Sequence, residues 1–335
     1  MIRTLITFII LFNSLLLAQS ENIALTPDPE YPLWLKTSQS KTQQTSGIAF
    51  IKSECDEKYF LTVDDIGFVN LLTIKKDTIY NIDTVSFTND AYEYLASFPK
   101  KDFEEVVLDP NSGEVYLSIE GNGPNFNDHV GIYKLIFEND DILSKQIIAI
   151  EKLNFKPEEE FYKYTNWNTG YEGVALDNNY FYLGLEGFVN NYEFADSSLI
   201  YIVNKSHLNI IKTISTKSLG IHTICGLFSD RDYSLWGIDR NNRTIFHILF
   251  DEKFNITGFS KFEGAKFIPG YHNLNYLPSF ESITMDKDNN IYIVDDPWKE
   301  VFVPAQNILN QLDEETIKNF KEYIPIIFKY NITNP

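Results

Sequence analysis

Glu172-Gly173-Val174-Ala175-Leu176-Asp177 recurs along the chain in degenerate form, and its copies decide the fold. The others are Ser46-Gly47-Ile48-Ala49-Phe50, Glu104-Glu105-Val106-Val107-Leu108-Asp109, Cys225-Gly226-Leu227-Phe228-Ser229-Asp230 and Glu281-Ser282-Ile283-Thr284-Met285-Asp286. In register, Ser46, Glu104, Glu172, Cys225 and Glu281 become equivalent, spaced by 58, 68, 53 and 56 residues. That period suits one propeller blade with long loops. After each copy comes an apolar run that ends in an acid: Asp64, Glu120, Glu186, Asp239 and Asp295.

Working outward, short stretches of alternating apolar and polar residues follow each phrase, broken by Asn, Asp and Gly. Asp109-Pro110-Asn111-Ser112-Gly113, Asp177-Asn178-Asn179 and Asp286-Lys287-Asp288-Asn289-Asn290 read as turns between first and second strands. The expected fold is all-β, a propeller of five four-stranded blades, with a sixth blade in the termini as the alternative. Val301–Val303 is the expected third strand of blade five, whose fourth strand stays unassigned. Ala305–Tyr323 carries apolar residues near helical spacing and predicts one helix. Ring closure falls to Ile324–Tyr330 or to the segment around Tyr31–Thr37.

Residues 1–20 read as a signal peptide, with Arg3, an apolar Leu5–Leu17 and small residues at Ala18-Gln19-Ser20. An uncleaved anchor is the alternative. Residues 21–44 form an N-terminal segment and 45–335 a single propeller domain, expected to be secreted or periplasmic and monomeric. The net charge is −19, from 47 acidic and 28 basic residues. Such a surface repels nucleic acid polymers and anionic membranes, so neither is expected as a partner. Two cysteines rule out a disulfide scaffold, and no bond is expected between Cys55 and Cys225.

In a propeller the first strand of each blade lines the central channel and the second runs antiparallel beside it. The start of the first and the end of the second then share one face. Ser46, Glu104, Glu172, Cys225 and Glu281 are expected around the channel mouth, with Asp64, Glu120, Glu186, Asp239 and Asp295 as a wider ring. So many carboxylates need protons or a cation to neutralise them. Hard oxygen donors point to calcium first and magnesium second. The bland reading of the outer acids is that they cap turns through backbone amides.

The order Ser, Glu, Glu, small residue, Glu at the blade starts resembles the calcium-dependent apyrases, secreted five-bladed nucleotide hydrolases. The first blade, Tyr59-Phe60-Leu61-Thr62-Val63-Asp64-Asp65-Ile66-Gly67, is also similar to theirs. The Glu-Gly-Val-Ala opening resembles a second family, the phytase-like propellers. The apyrase resemblance implies a calcium ion held by Ser46, Glu104, Glu172 and Glu281, with Cys225 standing where those enzymes use serine. It also implies a small phosphorylated substrate, with Glu186 or Asp64 as base. Arg240, directly after Asp239, is a candidate phosphate contact or else the partner of a ring acid. A non-catalytic propeller whose cation staples the ring is the other function consistent with these residues.

Overall fold

The computed structural model describes residues 23–190, 193–297 and 300–333. The expected signal peptide lies outside these. Five antiparallel sheets follow one another as blades around a channel. Blade one comprises Thr45–Glu54, Glu57–Asp64, Val69–Lys75 and Thr78–Thr84. Blade two comprises Phe103–Leu108, Val115–Ile119, Gly131–Phe137 and Gln146–Lys152, with Ser86–Phe87 added in parallel at its outer edge. Blade three is Gly173–Leu176, Tyr180–Gly184, Leu199–Asn204 and Asn209–Ser215. Blade four is Gly226–Phe228, Ser234–Asp239, Thr244–Phe250 and Ile256–Glu263.

Blade five corrects the sequence reading. Its inner strands are Phe280–Met285 and Asn290–Asp295, but its third is Ile326–Thr333 and its outermost is Ala24–Pro27. The stretch read as its third strand is a turn of 3-10 helix at Glu300–Phe302. Closure therefore uses both ends of the chain: Ala24 pairs with Thr333 and Leu33 with Ile327. Among the described residues no further four-stranded sheet remains for a sixth blade. The expected single helix is two, Gln306–Leu309 and Glu314–Lys321; Asp313 caps the second by accepting from the Thr316 amide at 2.7 Å.

Lys329 fastens the closure. Its ammonium donates to Asp28 at 2.9 Å beside the N-terminal strand and to Asp77 of blade one at 3.0 Å. Replacing Lys329 with alanine leaves the largely buried Asp28 without its cation and is expected to cost on the order of 2 kcal/mol. The check is a lower urea midpoint with unchanged slope; an unchanged midpoint refutes the fastening role.

The acids that end the inner strands hold the turns. Asp177 Oδ1 accepts from the amides of Asn179 and Tyr180, both at 2.8 Å, and Asp286 Oδ1 accepts from Asp288 at 2.9 Å. Two of them also stitch neighbouring blades, Asp286 through Lys58 and Asp109 through Lys205, each at 2.5 Å. Burial raises the carboxyls of Asp109 and Asp286, but these lysines, with amide and side-chain donors, hold both below the ordinary carboxylate value.

The residue after each phrase's opening position is small for a spatial reason. A Cβ on Gly226 would lie 2.7 Å from the Ser282 Cα, and one on Gly47 would lie 2.8 Å from the Glu104 carbonyl oxygen. Inner strands of adjacent blades touch there, forming a collar of Gly47, Gly173, Gly226 and Ser282. Glu105 is the exception. Its buried carboxylate crosses from blade two to accept from Ser282 Oγ of blade five at 2.5 Å and from the Val106 amide at 3.1 Å. Burial pushes this carboxyl well up, while Ser282 and the amides of Val106, Leu227 and Ile48 favour its charged form. Glu105 thus plugs the channel at the collar.

Candidate metal centre

Strand ladders settle which second-strand residues face the channel mouth. Asp65, Glu120, Glu186 and Asp296 each donate a backbone N–H to the carbonyl two residues before the blade's opening position: Gln44, Asp102, Gly170 and Ser279, at 3.0, 2.9, 3.0 and 3.1 Å. In blade four, Gly226 pairs with Ile238, as Gly47 pairs with Val63 and Ser282 with Val294. Arg240 is therefore the blade-four equivalent. The second ring is Asp65, Glu120, Glu186, Arg240 and Asp296.

This corrects three expected positions. Asp64, Asp239 and Asp295 sit one residue out of step with Glu120 and Glu186, and one residue in a strand reverses the face. Asp239 and Asp295 are capping acids, whereas Asp64 keeps Oδ1 buried without a hydrogen-bond partner among the described residues. Asp239 accepts from the His222 amide at 3.0 Å and from Asn242 Nδ2 at 2.6 Å. Asp295 takes the Tyr276 hydroxyl and the Ser279 amide, and Asp64 takes Asn70 Nδ2 at 3.4 Å. Asp64 is accordingly replaced by Asp65 as a mouth residue. The sequence carried a signal: Asp64-Asp65, Asp239-Arg240 and Asp295-Asp296 are charged doublets, whereas Glu120 and Glu186 are followed by glycine.

Within the mouth, donor atoms of Glu104, Glu120 and Glu172 lie within 4.8 Å of one another, and so do those of Asp65, Asp102 and Glu104. All but Asp65 are buried. Asp102 was not singled out in the sequence; it lies two residues ahead of Glu104 and is bonded by Asn122 Nδ2 at 2.7 Å and by Lys100. A third group, Glu172, Cys225 and Glu281, already has a cation. Arg240 donates to Glu281 at 2.6 Å and Glu186 at 2.6 Å, with Glu172 at 3.6 Å. Glu281 also accepts from Ser279 Oγ at 2.7 Å, and Ser46 is engaged by Asp65. Of the four expected ligands, Glu104 and Glu172 converge, joined by Glu120; Glu281 lies within 4.8 Å of Glu172 in the cluster that Arg240 neutralises, and Ser46 is engaged by Asp65.

Burial, reinforced by neighbouring acids, pushes Glu104 and Glu120 well above the ordinary carboxylate value. Burial does the same to Glu172, against the opposing pull of Arg240. Burial takes Asp65 and Glu186 up to about 7. The Cys225 thiol is pushed up by burial too, so it stays protonated and is no partner for a hard cation. Burial opposes the Arg240 charge, and the surrounding acids more than restore it.

A hard divalent cation fits these residues. Glu120 Oε1 is buried without a hydrogen-bond partner among the described residues, and Glu172 Oε2 has only its long ion pair with Arg240. Orphaned carboxylate oxygens facing one another are costly unless a proton or ion joins them. The donor set is all oxygen, as calcium and magnesium require.

Topology and site together define a five-bladed β-propeller with an acidic, mostly buried channel mouth. No protein-family model matches the chain, and no curated protein is similar enough to count as a relative. Among solved structures, a PQQ-bound aldose sugar dehydrogenase from Streptomyces coelicolor is similar at 9% identity and a TM-score of 0.46, covering 92% of this chain and 100% of that one. A luciferin-regenerating enzyme is similar at 14% identity and a TM-score of 0.46, covering 90% and 95%. Likeness this faint transfers no activity. The narrower apyrase or phytase-like type rests on short motifs alone.

Proposed function

We propose that the protein is an exported, calcium-dependent phosphohydrolase acting on nucleotides or other small phosphate esters at the acidic mouth. The convergence of Glu104, Glu120 and Glu172, with orphaned buried oxygens, carries this reading. Those three residues would hold the cation, with Asp65 and Asp102 beside them. A bound divalent cation supplies neutralisation of phosphate oxygens and acidifies a bound water.

The chain's own groups have separate parts. Glu186, brought to about 7, is suited to accept a proton from an attacking water near neutral pH. Arg240 holds Glu186 and Glu281 in place, each at 2.6 Å, and keeps their repulsion from opening the mouth. Lys100, 43% exposed at the lip, gives an approaching anion its first favourable contact.

One observation favours the non-catalytic alternative, in which the cation only staples the ring: the Arg240 guanidinium is already occupied by acids. Phosphate release from nucleoside diphosphates and phytate, measured across a calcium titration, separates the two. The hydrolase reading expects release that requires calcium and falls roughly 100-fold in Glu104→Gln. Absence of release from every phosphoester, with melting temperature still rising on calcium, leaves only the staple.

A further inference from the structure

On the far side of the Glu105 plug, the channel opens into a cavity of about 260 Å³. Its lining starts one residue past the collar in four blades, at Ile48, Val106, Leu227 and Ile283, and reaches the surface near Leu108 and Lys287. Carbon dominates it. The one carboxylate in the wall, Asp286, is neutralised by Lys58 at 2.5 Å and further bonded by Asn290.

We infer that this cavity is a binding site for a small amphiphilic carboxylate, its alkyl tail in the channel and its head group at Lys287. Size comes first. A dry apolar cavity of roughly 150 Å³ takes benzene, so this one admits a longer hydrocarbon tail. Its floor is closed by the collar and Glu105, which gives the tail an end to fill against and keeps it apart from the acidic mouth. Burying such a tail removes apolar surface from water, which favours the complex.

Charge decides the head group. Lys287 is exposed at the rim with no hydrogen bond or ion pair among the described residues, whereas Lys58 and Lys329 nearby are paired. The adjoining hollow is lined by Lys58, Lys76, Lys287 and Lys329 against Asp56, Glu57, Asp77 and Asp288. Four lysines balance four acids there, in a chain of net charge −19. This rim does not repel an anion as the opposite mouth does.

Calorimetric titration of the full chain with sodium octanoate and with 1-octanol, in chelator and without phosphoester, tests the site independently of any hydrolysis. Wild type is expected to bind both. Lys287→Glu should weaken octanoate about five-fold, the strength of one exposed ion pair, and leave octanol unchanged. Leu108→Trp and, separately, Ser229→Trp at the half-buried rim should block both ligands. Binding of neither ligand to wild type overturns the proposal, as does octanoate binding that neither tryptophan reduces. Equal loss of octanoate and octanol in Lys287→Glu removes the assigned head-group contact.

Discussion

Stripped of divalent ions, the protein is expected to melt at a higher temperature near pH 5 than near pH 8, and saturating calcium is expected to close the gap. Asp65 and Glu186 have folded values of about 7 against roughly 4 in an unfolded chain. Between those values the folded state binds more protons, so stability declines as pH rises. The contribution of the protonated forms is complete below about pH 4 and is lost through pH 7. Asp28, Asp109 and Asp286 have lowered values and act oppositely: their contribution is present above the unfolded value and disappears only as pH falls below it. The interval from about pH 5 to pH 8 therefore reports the raised carboxyls, those of the mouth together with Asp64, Glu105 and Asp295, which burial also pushes up, while His129, lowered by burial, acts oppositely. Calcium at about 100 times its dissociation constant adds about 2.7 kcal/mol, or roughly 5 °C or more, at the alkaline end. At the acid end it competes with protons for Glu104, Glu120 and Glu172 and gains less. Calorimetric melting in chelator and in calcium at both pH values checks this. A flat profile with no response to calcium or magnesium removes the metal centre.

Replacing Arg240 with methionine is expected to be the most damaging single change at the mouth. The guanidinium is mostly buried, with 17% of its side chain exposed, and it holds Glu186, Glu281 and Glu172. Methionine fills much of the volume and leaves those carboxylates facing one another. Breaking a buried pair from one side costs about 3–5 kcal/mol, and here the loss should shrink toward pH 5 as the acids take protons. Arg240→Lys should fall between, since an ammonium keeps the charge but cannot fork to two carboxylates. Chemical denaturation at both pH values reads the difference. An Arg240→Met protein as stable as wild type near pH 8 in chelator would show that the mouth acids are neutral there without the arginine.

How much of this was legible beforehand differs between fold and site. The blade count and the innermost strand of all five blades followed from periodicity, because a strand's alternation and its turn residues are local properties. Blade five was not legible: its third and fourth strands come from opposite ends of the chain, and Ala24–Pro27 is too short and too exposed to announce itself as a strand. At the mouth, Glu104 and Glu172 were identified from their repeated position. Asp64 is the first acid after its apolar run, but the hydrogen-bond ladder brings the next residue, Asp65, to the mouth.

The sequence by itself determined that five like units would bring acids to one end of a common channel, since repetition places equivalent residues equivalently in any closed ring. Only the tertiary structure decided what those acids are for. Whether a carboxylate caps a turn, pairs with Arg240 or faces an orphaned neighbour depends on one-residue register and on which strands meet across the collar. Those contacts join residues far apart in the chain, from 41 positions between Arg240 and Glu281 to 177 between Ser282 and Glu105. Interactions of that range arise only when the ring closes, and no local pattern encodes them.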